Sequence, residues 1–107
     1  FKELKKAKKV YKEQPFYQMI PASQIYGSET QEEILLQGII DLYYINQNDE
    51  LILVDFKTDH IGQERELVDR YQEQLLLYKE ALEISLNRRV DKVYIYSIFL
   101  QKEIEVV

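Results

Sequence analysis

Two aspartates and a lysine, Asp41, Asp55 and Lys57, stand within a mostly apolar stretch, Gly38–Lys57 (GIIDLYYINQNDELILVDFK). Carboxylates brought together repel unless something positive lies between them. Hard divalent cations such as Mg²⁺ take one or two carboxylates, waters and substrate phosphates as ligands. Such an ion polarises a phosphoryl oxygen and acidifies water. An ammonium beside it, here Lys57, orients the nucleophile or offsets charge building on phosphorus. The set suits phosphodiester hydrolysis better than acyl transfer, for which the chain has no cysteine and no Ser/His pair. The one histidine, His60, follows the motif in a predicted loop.

This chemistry requires that the two aspartates meet. Leu36–Ile45 and Leu51–Lys57 are rich in β-branched and aromatic residues, and Asn46-Gln-Asn-Asp-Glu50 supplies turn chemistry between them. The stretch therefore reads as a hairpin. If Ile45 faces Leu51, Asp41 faces Asp55, with Cβ atoms about 4.5–5.5 Å apart on one face. Lys57 projects from that face roughly 7 Å further along. A one-residue slip sends the aspartates to opposite faces.

A chain of 107 residues supports one domain with a modest core, and 46% hydrophobic content argues against disorder. The absence of cysteine excludes disulfides, cysteine-ligated zinc and iron–sulfur clusters within this chain. No apolar run approaches the roughly 20 residues of a membrane helix, so no membrane partner is expected. The net charge of −5 is unevenly spread: residues 1–14 hold six lysines and two glutamates. Those lysines form either a solvated face or a phosphate contact.

Taken in order, Phe1–Lys12 reads as a helix, with Leu4, Ala7 and Tyr11 as a narrow apolar stripe. Pro15–Ala22 reads as a first strand, Pro21 marking an edge or an end. Ser23–Glu33 reads as a loop. After the hairpin, Thr58–Glu64 leaves the sheet. A helix from about Arg65 to Leu86 carries the stripe Leu67, Tyr71, Leu75, Tyr78, Leu82, Leu86, and Asn87 closes it in a left-handed conformation. Asp91–Leu100 reads as a strand parallel to the Asp55 strand or a near neighbour. Gln101–Val107 begins another strand after a tight turn at Gln101–Lys102. The expected class is α/β, a mixed sheet with the order helix, strand, strand, strand, helix, strand. The long helix covers one face and the first helix the other face or an end. Beginning at Phe1 and stopping at Val107 after a β-like run, the chain is expected to be a piece of a longer protein.

Gly38-Ile-Ile-Asp41, Asp55-Phe-Lys57 and Gln74-Leu-Leu-Leu-Tyr78 follow one another in an order that resembles the motifs of the PD-(D/E)XK nuclease superfamily. The wording GIIDLYY, LVDFKTD and RYQEQLLLYKEAL is most similar to the branch at the C-terminus of AddAB and RecBCD helicase–nucleases, in particular the AddA type. The resemblance covers roughly residues 13–100. It implies a restriction-endonuclease-like core and a Mg²⁺-dependent (or Mn²⁺-dependent) deoxyribonuclease that processes DNA ends for recombinational repair. It implies Asp41 and Asp55 as metal-binding carboxylates, the Phe56 carbonyl as a further ligand and Lys57 as the catalytic lysine. Gln74 and Tyr78 would support the site or contact DNA. The implied partners are DNA, the helicase part of the same longer chain and an AddB-type partner, in a bacterial, cytoplasmic, nucleoid-associated setting. In this branch a histidine on an upstream helix commonly completes the metal site. Nothing before His60 fills that role, so it is expected before Phe1. No GxxxxGK[ST] phosphate loop occurs.

Each residue also has a plainer reading. A lone D-x-K or G-x-x-D is weak, and the value lies in order and spacing. Asp41, Asp55 and Lys57 could form a structural ion-pair cluster. Gln74 could be an exposed helix residue and Tyr78 core, as Tyr71 is read. His60 is a loop residue or a phosphate contact, and Thr58 and Asp59 cap or turn the chain. The alternative function is a catalytically incomplete nuclease-like module that binds DNA or scaffolds a complex.

Overall fold

The computed structural model describes residues 5–23 and 31–106. Five strands and one long helix follow in the order β1 (Lys9–Pro21), β2 (Glu33–Ile45), β3 (Leu51–Lys57), α1 (Glu64–Leu86), β4 (Lys92–Ser97) and β5 (Lys102–Glu105). They form one mixed sheet with spatial order β1-β2-β3-β4-β5. β3 and β4 are parallel, joined by α1 as the crossover helix, and the other neighbours are antiparallel.

The predicted hairpin forms in the predicted register: Ile45 pairs with Leu51 and Leu42 with Val54. Asn46 makes the turn. Its side-chain oxygen accepts the N–H groups of Asn48 (3.0 Å) and Glu50 (2.8 Å), and its amide donates to Glu50 Oε1 (2.9 Å). This is an Asx-type turn, with the side chain standing in for backbone.

α1 begins one residue before its expected start. Asn87 closes it at φ 49° and ψ 48°, its N–H satisfying carbonyls of the last turn. Leu67, Leu75, Ala81 and Leu82 are its buried residues. They pack on Phe16, Ile20, Ile40, Tyr43, Leu51, Leu53, Val93 and Ile95 from the sheet. The opposite face buries a smaller group, Leu42, Tyr44, Ile52 and Val54, flanked by Ala7, Tyr94 and Tyr96.

Four sequence expectations need correction. The helix predicted over residues 1–12 does not run on to Lys12: Lys5 is helical, but Lys9–Lys12 belong to β1, paired from Lys9↔Ile45 to Lys12↔Leu42. A three-residue apolar stripe is weak support for a helix, and Val10 and Tyr11 suit a strand that β2 can template. Residues 1–4, with Leu4 of that stripe, lie outside the described residues, as do 24–30 of the predicted loop. The first strand therefore starts at Lys9, not Pro15. β4 ends at Ser97 rather than Leu100, with the turn at Ile98–Gln101 instead of Gln101–Lys102. The predicted order of helix, three strands, helix and strand becomes, among the described residues, three strands, one long helix and two strands. Pro15 and Pro21 both sit in β1, an edge strand where a missing N–H is tolerated.

β1 and β2 carry a feature with no sequence signal. Their pairing skips Glu13 and Asp41, although Lys12↔Leu42 and Gln14↔Ile40 flank them in unbroken register. Glu13 sits at φ 49°, the left-handed region. On one side of this kink Tyr11, Tyr43 and Ile45 face the helix; on the other Phe16, Ile20, Ile40 and Leu36 do. Odd and even positions thus exchange faces at Glu13 and Asp41, in both strands together.

A carboxylate pair at a fork in the sheet

β2 and β3 pair only from Leu42↔Val54 to Ile45↔Leu51. Beyond that point β2 stays with β1, while Asp55, Phe56 and Lys57 pair with β4 alone. The sheet therefore forks, with Asp41 on one arm and Asp55 on the other. Asp41 is free of both ladders at the kink, and its side chain bridges the fork. Its Oδ2 accepts the Phe56 N–H at 2.9 Å, a donor that a continued ladder would have given to backbone. The predicted register is correct, but the ladder stops one position short of the two aspartates.

Asp55 follows Leu51 and Leu53 on the helix-facing side and is only 7% exposed. Lys57 Nζ lies 3.0 Å from Asp55 Oδ2. The approach is off the axis of a hydrogen bond, so this buried oxygen has an ion-pair neighbour but no aligned donor. Burial pushes the Asp55 carboxyl up from 3.8 to about 6; Lys57 opposes the rise and the nearby Asp41 adds to it. Burial on its own lowers the Lys57 ammonium, but the close ion-pair contact with Asp55, with help from Tyr71 and Asp41, raises it overall. The pair is thus held together at a carboxylate that resists ionisation.

Lys57 Nζ also sits 4.1 Å from the centre of the Tyr71 ring. The Tyr71 hydroxyl donates to the Asp59 carboxylate, 2.9 and 3.1 Å from its two oxygens, and Arg70 Nη1 pairs with Asp59 Oδ2 at 2.5 Å. These two neighbours hold the Asp59 carboxyl below its usual range. Tyr71 had a sequence reading as core alone and Asp59 as a cap or turn residue. The available signal was the position of Tyr71 on the same stripe as Tyr78, two turns before it.

An open cleft of about 420 Å³ adjoins the fork, lined by Lys12, Glu13, Asp41, Leu42 and Phe56. Asp41 lines this cleft while Asp55 and Lys57 do not, and Lys12 brings one of the N-terminal lysines there. Gln74 and Tyr78 lie elsewhere on α1. The Gln74 amide reaches the Tyr78 hydroxyl at 3.4 Å, and the Tyr78 ring meets Phe16 edge-on at 5.1 Å. A Cβ on Gly38 would come 3.0 Å from that hydroxyl, so Gly38 admits Tyr78 against β2. His60 is exposed and stacks on Phe99, ring centres 4.6 Å apart.

The donors suit a hard cation: two carboxylates from separate strands, one with a buried oxygen lacking an aligned donor. Among the described residues no group of three or more His, Cys, Asp or Glu gathers as a metal cage. Two carboxylates leave room for waters and substrate oxygens.

The chain matches the PD-(D/E)XK nuclease superfamily over residues 2–105. It is 43% identical over 98 residues to an ATP-dependent helicase/nuclease subunit of Clostridium kluyveri, covering 87% of this chain. It is 38% identical over 112 residues to the protein of the same name in Clostridium perfringens (95% of this chain), and 43% over 103 residues to that of Syntrophomonas wolfei (94%). In each case the match spans 8% of the relative's length. With nearly every residue matched, and D-x-K set at a forked sheet opposite a second aspartate, the chain belongs to the PD-(D/E)XK nuclease superfamily.

Proposed function

We propose that this chain is the nuclease domain of a longer helicase–nuclease and hydrolyses DNA phosphodiesters with Mg²⁺. The observation that carries this reading is the carboxylate pair spanning the fork, with Lys57 on its buried side and an open cleft on the other. Asp41 and Asp55, with the Phe56 carbonyl, would hold the cation. When bound, the ion supplies Lewis-acid polarisation of a phosphoryl oxygen and acidifies water. Asp41 does double work, fixing Phe56 through its N–H while facing the cleft. Lys57 keeps a positive charge beside the position of the transferred phosphorus and offsets the negative charge that develops there. Lys12 in the cleft wall attracts the DNA backbone.

A module that only bound or scaffolded DNA would have no use for two facing carboxylates, one of them buried at the cost of ionisation. The same proposal extends to processing of DNA ends for recombinational repair, with an AddB-type partner and in a cytoplasmic setting. Gln74 and Tyr78 support β2 behind Gly38 in this reading. The test is cleavage of linear DNA by the full-length protein with Mg²⁺, with chelator, and with Asp41→Ala or Lys57→Ala. Cutting should require the ion and vanish in both variants. Undiminished cutting by either variant would end the assignment.

A further inference from the structure

We propose that Tyr71 is a positioning residue for Lys57: its ring is a second seat for the ammonium, used when the charge of Asp55 is engaged elsewhere. This rests on the nuclease reading above. Lys57 is 19% exposed at its side chain and lies close to two groups, Asp55 Oδ2 at 3.0 Å and the Tyr71 ring at 4.1 Å. Any cation held by Asp55 competes with the ammonium for the same carboxylate charge. Without another partner, a lysine released there swings toward water. The ring face prevents that, because a π-face attracts a cation without holding a formal charge that the ion would also claim.

The ring is itself fixed. Tyr71 is anchored in the second turn of α1, partly buried against the core. At its far end the hydroxyl donates to Asp59, which Arg70 pairs from the adjoining helix position. Asp59 lies two residues beyond Lys57, so the segment leaving β3 is tied to the helix by the group that orients the ring. One chain of contacts thus runs from Arg70 through Asp59 and Tyr71 to Lys57. A merely space-filling tyrosine needs neither the hydroxyl's partner nor the ammonium over its face.

The experiment uses the full-length protein, reading single-turnover cleavage with Mg²⁺, DNA affinity without metal, and the melting midpoint. Tyr71→Leu should slow cleavage roughly three- to thirty-fold, with DNA affinity unchanged. Tyr71→Phe keeps the ring and should restore the rate to within about threefold. Asp59→Asn should fall between the two. Equal rates for the Leu and Phe variants would overturn the proposal, because the ring would then be irrelevant. So would a loss in Tyr71→Leu that appears equally in DNA affinity or follows a collapse of the melting midpoint. Lys57→Ala separates the levels: if it cuts like wild type, the nuclease reading fails; if it is inactive while Tyr71→Leu is not impaired, only the seat fails.

Discussion

The two halves of β3 are continuous in sequence and opposite in use. Ile52–Val54 has strand neighbours on both sides, and Leu51–Val54 is buried to 1% exposure or less at every residue. Asp55–Lys57 continues the same strand with a neighbour on one side only, and here a carboxylate and an ammonium take the positions that leucines held. Ladder hydrogen bonds leave the backbone of the first half fully committed. The loss of β2 at the fork gives the second half an unclaimed N–H, which Asp41 takes, and a space beside it that solvent can enter. A sheet opens a gap for a carboxylate pair by ending one pairing while the other continues.

Changes in the two halves should therefore fail differently. Leu53→Ala, in the committed half, should cost about 2–5 kcal/mol in urea unfolding, with cleavage per folded molecule preserved. Lys57→Ala should do the reverse, lowering cleavage roughly 10²- to 10³-fold in single-turnover assays with a small change in melting. A midpoint drop as large as that of Leu53→Ala would erase the distinction between core and site.

Asp55 sharpens it through pH. Its folded pKa is raised from 3.8 to about 6, so the folded state binds the proton more tightly than the unfolded chain does. The stability this contributes is fully present below pH 3.8 and lost as pH rises through about 6, at most about 3 kcal/mol. Asp55→Asn cannot ionise, so it should gain on the wild type between about pH 3.8 and 6 in paired unfolding curves, with a constant difference above that. Parallel curves would mean that the carboxyl is not strained in the fold. The smallest effects belong to the supports. Gly38→Ala crowds the Tyr78 hydroxyl and the Phe16 ring, with contacts of 3.0 and 3.3 Å, and should cost about 1–3 kcal/mol in thermal unfolding.

Much of this arrangement was legible from residue types. The hairpin register followed from Asn46–Glu50 and the apolar runs on either side, the helix from its stripe, and its end from Asn87. The parallel placement of β4 followed from strand–helix–strand handedness. What was not legible depends on tertiary context. Lys9–Lys12 joins β1 because β2 is there to pair with, against a local pattern that also fits a helix. The kink at Glu13 and Asp41 leaves no mark in composition, since neither residue is a glycine that would announce a positive φ. Tyr71 had a side chain fit for the core, and only the tertiary fold brings an ammonium onto its face. The motif residues were thus legible in the sequence, while the fork that brings them together was not.

The most direct measurement is the melting midpoint of the protein titrated with Mn²⁺ or Mg²⁺, in wild type and in Asp55→Ala. A cation bound only by the folded state adds stability as its concentration exceeds its Kd, about 2.7 kcal/mol at a hundredfold excess. The carboxylate pair predicts a rise of several degrees at about pH 7.5 in wild type. That rise should shrink as pH falls below about 6, where protons hold Asp55, and should be absent in the variant. A flat midpoint at millimolar metal, or an equal rise in Asp55→Ala, would contradict a cation site at the fork.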